Sequence, residues 1–300
     1  MRIIIILCLI SVPLFSVAQE RIKVIIDADT GNEVDDLYAI VRGLIEPSWD
    51  VIGLNATQWQ VSHLAVEKTM EDSHSLNQVL ASYLKMNEKI KLNRGATARL
   101  FDWGNLSHPS AASNFIISEA LKSKDGKINV VALGALTNVA SAILDNPEVI
   151  SKIRLYWLGT LYDFEQRLMK TTDFNSVMDI QAVEIILNSD IELHIIPVNT
   201  AISMTLNWKE TVERFEGKHD LLDFLLKRWF NHMDGGRRER VIWDLALIQA
   251  IISPRFAEEI KIRTSRERGD REVWMYKSID GHKMREDFYK TTLEYMKDLE

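Results

Sequence analysis

Three hundred residues, 46% of them apolar and 26% charged, suit one or two globular domains and exclude disorder, collagen and coiled coil. A single cysteine, Cys8, excludes an intramolecular disulfide framework and a cysteine-ligated metal site. With 36 basic residues against 43 acidic ones, the net charge of −7 leaves no electrostatic footprint for nucleic acid.

The chain opens with a positive Met1-Arg2, an apolar stretch from Ile3 to Val12, and Ser16-Val17-Ala18 before Gln19. This order predicts a cleaved secretory signal over residues 1–18, a single domain over 19–300, and a periplasmic or extracellular location. The apolar stretch is shorter than the roughly 20 residues a membrane span needs. Leu7 stands before Cys8 where lipid attachment would want a small residue, so no stable membrane anchor is expected.

From Arg21 onward, short apolar runs alternate with longer amphipathic ones, the pattern of βαβ units. Strands are expected over Ile22–Ile26, Val51–Leu54, Ile128–Leu133, Ile153–Leu158 and Leu193–Val198. Helices are expected over Asp35–Ile45, Val61–Met86, Ala111–Lys122, Leu136–Leu144, Ile180–Asn188, Leu221–His232 and Val241–Ile252. A hairpin over Ile260–Thr264 and Val273–Lys277 and a closing helix over Arg285–Leu299 complete the chain. The expected architecture is α/β: one domain with an open, mostly parallel, Rossmann-like sheet and helices on both faces. In such sheets ligands bind beyond the carboxyl ends of the strands.

The first such end is crowded with acid. Asp27-Ala28-Asp29-Thr30-Gly31-Asn32-Glu33-Val34-Asp35-Asp36 follows the first apolar run, and five carboxylates in ten residues repel one another unless a cation neutralises them. Oxygen-only ligands select calcium or magnesium over zinc. Asp35 and Asp36 also suit the first turn of a helix, where the macrodipole favours negative charge. An EF-hand loop beginning at Asp27 fails at Gly31, Asn32 and Tyr38. A phosphatase of the haloacid dehalogenase type shares D-x-D after a first strand but wants Thr or Val where Gly31 stands; it is kept as an alternative with Asp27 as nucleophile.

The cluster resembles the opening of the inosine-uridine-preferring nucleoside hydrolases, and three further segments follow in that family's order. Val131-Ala132-Leu133-Gly134-Ala135-Leu136-Thr137-Asn138 looks like its strand and G-x-L-[ST]-N turn. Asp173-Phe174-Asn175 with Asp179 looks like its E-[FW]-N…D-P-E-A segment, and Trp243-Asp244 takes the place of its [HW]-D pair. The resemblance runs from about Arg21 to about Arg255. It implies hydrolysis of the N-glycosidic bond of ribonucleosides and a nucleoside hydrolase fold. It also implies calcium held by Asp29, Asp36, the Leu133 carbonyl and Asp244, with Asp35, Asp173 and Asn175 hydrogen-bonding the ribose. Asp29 would be the base for the attacking water, and the assembly a homodimer or homotetramer.

Several positions depart from the pattern. Trp243 stands where many members carry a histidine that protonates the leaving base; members with Trp there prefer purines, which points to purine ribonucleosides. Trp59 is the candidate for a second stacking wall. Asp173 replaces the usual Glu and shortens its reach by one methylene. The Gly31-Asn32-Glu33-Val34 spacer is two residues longer than in the shortest family motif, and Asn32 and Glu33 read as plain loop, with groups supporting the site from behind its ligands as the alternative. Residues 232–240, with Gly235-Gly236 and three arginines, read as a solvated charged loop, with a flap carrying His232 as the functional alternative. A nucleoside-binding protein with weak or no turnover is the reading from another class, supported by the missing histidine and by Asp173.

Overall fold

The first apolar run forms β1 (Ile22–Ala28) and passes through the acidic loop into α1 (Asp35–Leu44), followed by β2 (Trp49–Ala56), α2 (Thr69–Tyr83) and a three-residue β3 (Lys91–Asn93). The structure is a computed structural model that describes residues 21–100, 105–123 and 126–299; the expected signal over 1–18, with Cys8, lies outside the described residues. Next come α3 (Ala111–Lys122), β4 (Ile128–Ala132), α4 (Thr137–Asp145) and β5 (Ile153–Leu158). A small hairpin, β6 (Leu161–Asp163) and β7 (Leu168–Lys170), precedes α5 (Phe174–Met178), α6 (Ile180–Leu187), β8 (Glu192–Ile196) and α7 (Val198–Ala201). The chain then runs through β9 (Thr205–Asn207), α8 (Trp208–Phe215), α9 (Asp220–Phe230), β10 (Glu239–Val241) and α10 (Trp243–Ile252). It closes with β11 (Ala257–Arg263), β12 (Glu272–Ile279) and α11 (Gly281–Leu299).

Eight strands make one sheet in the order β11-β12-β8-β5-β4-β1-β2-β3, parallel throughout except for the antiparallel edge strand β11. The continuous apolar runs follow from burial on both faces. Ile26, Leu54, Val131 and Ile196 pack into the core shared with α1, α9, α10 and α11, whereas Ile25, Val130, Leu155 and Ile195 pack into the core shared with α4 and α6. The strand order grows outward in both directions from the β1–β4 pair, so the switch point of the sheet lies where β1 and β4 end.

Several elements differ from expectation. Residues 59–65 form turns, with Ser62 N donating to Trp59 O and Ala65 N to Ser62 O, so α2 starts at Thr69 and not at Val61. It stops at Tyr83 because Lys85 takes φ +55° and Met86 N reaches back to Ala81 O, a Schellman closure. The expected hairpin near the C-terminus is present as β11–β12, but β12 also lies parallel beside β8 and extends the main sheet. Strands β3, β6, β7, β9 and β10 are three residues each, too short to register as periodicity.

Candidate active site

A cavity of about 280 Å³ opens at the carboxyl ends of the central strands. Asp29 enters it from the end of β1, and Asp35 and Asp36 from the first turn of α1. Asp244 comes from the first turn of α10, and Asp173 and Asn175 from the start of α5. Helices α1 and α10 pack together with both N-termini at the cavity, so the positive ends of two helix dipoles face the acid cluster. Asp244 N donates to Asp35 Oδ2 at 3.3 Å and joins the two helix starts.

Carboxylate oxygens of Asp35, Asp36 and Asp244 lie within 4.8 Å of one another, and all three residues are buried. Asp29 is also buried, at 2% exposure. Asp29 Oδ2, Asp36 Oδ1 and Asp244 Oδ1 have no hydrogen-bond partner among the described residues. Burial pushes Asp35 up to about 7, with the Glu33 charge adding to the effect. Asp29, Asp36 and Asp244 are held well above the ordinary carboxylate range, first by burial and then by one another and by Asp35. Orphaned, mutually repelling oxygens without a soft ligand among them fit a hard divalent cation. The close approach of Asp29 to the β4–α4 turn requires Gly134, where a Cβ would meet Asp29 Cγ at 2.7 Å.

The other expected residues fall as follows. The Leu133 carbonyl lies at the cavity and accepts from Asn175 Nδ2 at 2.5 Å; the same nitrogen donates to Leu158 O at 2.9 Å. Asn175 thus ties the ends of β4 and β5 together, and the Leu133 oxygen retains one lone pair. Asp173 lines the cavity, but its carboxylate accepts from Ser176 N at 3.2 Å and Ser176 Oγ at 2.5 Å, capping α5. Burial raises its pKa, and the Ser176 bonds oppose that shift. Trp243 lines the cavity at the start of α10.

Trp59 does not belong to this cavity, which corrects the expected second stacking wall. It is 1% exposed, donates from Nε1 to Ser73 Oγ at 3.2 Å, and packs beside Ala135 and Met178. Its loop folds back under α2, turning the indole inward. Asp27 is fully buried, accepts from Asn138 Nδ2 at 3.0 Å and is absent from the lining, so it is no exposed nucleophile for a phosphatase.

Residues outside the expected set also line the cavity: Asn32, Glu33, Leu158, Phe174 and Val198. Phe174 lies within a segment already singled out; Leu158 and Val198 show themselves in sequence only as strand-end apolar residues. Among the described residues, the lining includes no histidine, lysine or arginine. The loop over 232–240 is folded back on the acidic loop. His232 Nε2 lies 3.4 Å from Asn32 O, and Arg240 pairs with Asp234 and, at 3.8 Å, with Glu33.

Fold and site together define an α/β protein with a buried carboxylate pocket, open to an apolar and aromatic wall, at the switch point of its sheet. The family model described as inosine-uridine preferring nucleoside hydrolase matches residues 24–286, and the chain belongs to that family, whose reaction is hydrolysis of ribonucleosides. It is 27% identical over 227 residues to a probable uridine nucleosidase 2 of Arabidopsis thaliana, covering 69% of each chain. It is 23% identical over 259 residues to the pyrimidine-specific ribonucleoside hydrolase RihB of Escherichia coli, covering 78% of this chain and 80% of that one. Among solved structures it resembles the purine-preferring ribonucleoside hydrolase from Gardnerella vaginalis, with a TM-score of 0.67 at 18% identity over 92% of this chain and 99% of that one.

Proposed function

We propose that this chain is a calcium-dependent ribonucleoside hydrolase that prefers purine nucleosides and releases free base and ribose. The observation that carries the reading is the set of orphaned oxygens on Asp29, Asp36 and Asp244, buried beside a cavity that Trp243 and Phe174 also line. Asp29, Asp36, Asp244 and the Leu133 carbonyl would hold the cation, which when bound supplies the positive charge that neutralises the cluster and accepts the vicinal hydroxyls of ribose.

Asp29 takes the proton of the attacking water as the N-glycosidic bond breaks. Asp35 and Asn175 orient the sugar hydroxyls, and the surrounding carboxylates stabilise the positive charge of an oxocarbenium-like transition state. The shortened Asp173, engaged with Ser176, holds the α5 N-terminus in place at the sugar's edge. Among the described residues, the cavity lining offers the departing base no imidazole or ammonium donor. A purine carries a basic imidazole-ring nitrogen that solvent can protonate, whereas uracil carries none. That difference, with Trp243 as the stacking surface, supports the purine preference.

The test follows released reducing sugar from inosine, guanosine, adenosine and uridine, with and without chelator. Asp29→Asn is expected to lower turnover roughly 10²–10⁴-fold. Hydrolysis that survives both chelator and this substitution refutes the mechanism, and faster release from uridine than from inosine refutes the purine preference. The bonding of Asp173 to Ser176 favours a second reading, a nucleoside-binding protein with weak turnover. Calcium and inosine binding without hydrolysis would select it. Export through the 1–18 leader completes the proposal, and mass analysis of the secreted chain should give an N-terminus at Gln19.

A further inference from the structure

Two residues of the lengthened acidic loop do not behave as plain loop. Asn32 and Glu33 both line the cavity. Asn32 is 6% exposed and its buried Oδ1 has no hydrogen-bond partner among the described residues. Glu33 keeps its side chain 45% exposed, with Arg240 Nη1 as a loose partner at 3.8 Å. A buried amide oxygen left unpaired costs free energy that a ligand donor can restore.

Their neighbours say which part of a nucleoside they face. His232 approaches the Asn32 carbonyl and Arg240 approaches Glu33, and both belong to the segment that runs directly into Trp243. Asp173, Phe174 and Asn175 enter after β5, from a different part of the chain. Asn32 and Glu33 are thus tied to the segment that ends at Trp243, beside which the reading above places the base. The pair is held in place: Asn32 N donates to Asp29 O at 2.9 Å, and Arg240 is 5% exposed, anchored by Asp234 and lying 5.8 Å over the Trp229 ring.

We propose that Asn32 and Glu33 are the base-recognition residues of this cavity, an acceptor pair that takes the ring N–H of a 6-oxopurine such as hypoxanthine or guanine. A carboxylate oxygen and an amide carbonyl accept and do not donate. Hypoxanthine and guanine carry a hydrogen on N1, and guanine adds a 2-amino group beside it. Adenine presents a lone pair at N1, which a carboxylate repels, so the same pair discriminates by repulsion as well as attraction. Sites built around a substrate N–H reject analogues that lack it far more strongly than apolar pockets reject a missing methylene. Arg240 acts as a positioning residue for Glu33. The inference rests on the proposed hydrolase reading for its choice of ligand and for the side on which the base lies.

The experiment compares kcat/KM for inosine and 1-methylinosine in the wild-type chain, Asn32→Ala and Glu33→Ala. Calorimetric binding of hypoxanthine, 1-methylhypoxanthine and calcium is measured on the same preparations. The wild type is expected to favour inosine over 1-methylinosine by about tenfold or more, and the ratio to fall towards one in both variants. Because Glu33 is half exposed, Glu33→Gln serves as a folding-neutral check and should reduce the ratio partway. An unchanged ratio overturns the proposal. So does weaker calcium binding in Asn32→Ala with the ratio kept, since it would assign Asn32 to the cation. If the wild type cleaves no riboside, the hydrolase reading fails by itself. The base-binding arm then decides: hypoxanthine bound tighter than its 1-methyl form, with the difference lost in the variants, sustains the proposal, and equal affinities overturn it.

Discussion

Asp244 illustrates how one buried carboxylate answers to both stability and chemistry. Its Oδ1 is unpartnered and its pKa is raised by burial and by Asp35, Asp36 and Asp29. In the metal-free chain that charge is a liability, since like charges in a dry site repel. Asp244→Asn keeps the shape and removes the charge. Its metal-free melting temperature is therefore expected to rise above that of the wild type, while the stabilisation by calcium and the turnover both fall. Scanning calorimetry with and without calcium reads this directly, and a fall in the metal-free melting temperature would refute it. At this scale the sequence was informative where the signal was local. Asp29, Asp35 and Asp36 announce themselves by crowding within one loop, and Asp244 by its place beside Trp243 in a recognised segment. Trp59 misled, because a loop indole carries nothing in its own sequence to say whether it turns outward to a ligand or inward beneath a helix.

Among the elements, the turns after β1 and β4 decide whether the pocket exists. Leu133 N donates to Asp27 O at 2.8 Å, locking the two strand ends together, and the next residue, Gly134, leaves room for the Asp29 carboxylate. A methyl group at 134 would meet Asp29 Cγ at 2.7 Å and Thr57 Cγ2 at 2.8 Å. Gly134→Ala should displace Asp29 and cost more in kcat than in folding stability, a split that steady-state kinetics alongside chemical denaturation would measure. Proportional loss of both would show general misfolding instead. Long, continuously apolar strands and amphipathic helices were legible because burial on two faces and a 3.6-residue period leave strong patterns. The three-residue strands and the turns at 59–65 were not, since their pairing partners lie far along the chain. Strand β12 is the clearest example, for its pairing with β8 joins Trp274 to His194 across 80 residues of sequence.

For the molecule as a whole, the buried acids set a pH dependence. A carboxyl whose pKa is raised on folding keeps its proton to higher pH than in the unfolded chain, so its folded state is favoured at low pH and loses that advantage as pH rises through the folded pKa. Asp27 is pushed to about 6 and Asp35 to about 7 by burial, and burial with mutual repulsion also holds Asp29, Asp36 and Asp244 well above the ordinary carboxylate range. The metal-free protein should accordingly lose stability between pH 4 and pH 7 and beyond. Calcium should restore most of it at the alkaline end, where the carboxylates are charged. Thermal melts across that range, with calcium and with chelator, test the sign. A metal-free protein that gains stability up to pH 8 would contradict it.

The sequence by itself determined the α/β class, the alternation of strands and helices, and the crowding of carboxylates into one loop, because periodicity and local charge density are one-dimensional properties. Only the tertiary structure decided which of these residues meet. It brought two helix N-termini and two strand ends to one switch point, used Asn175 to bridge the β4 and β5 carbonyls, buried Trp59, and tied the Asn32–Glu33 stretch to the segment that leads into Trp243. Those outcomes depend on contacts between segments tens to hundreds of residues apart, and the geometry of such contacts is fixed by packing against the whole sheet.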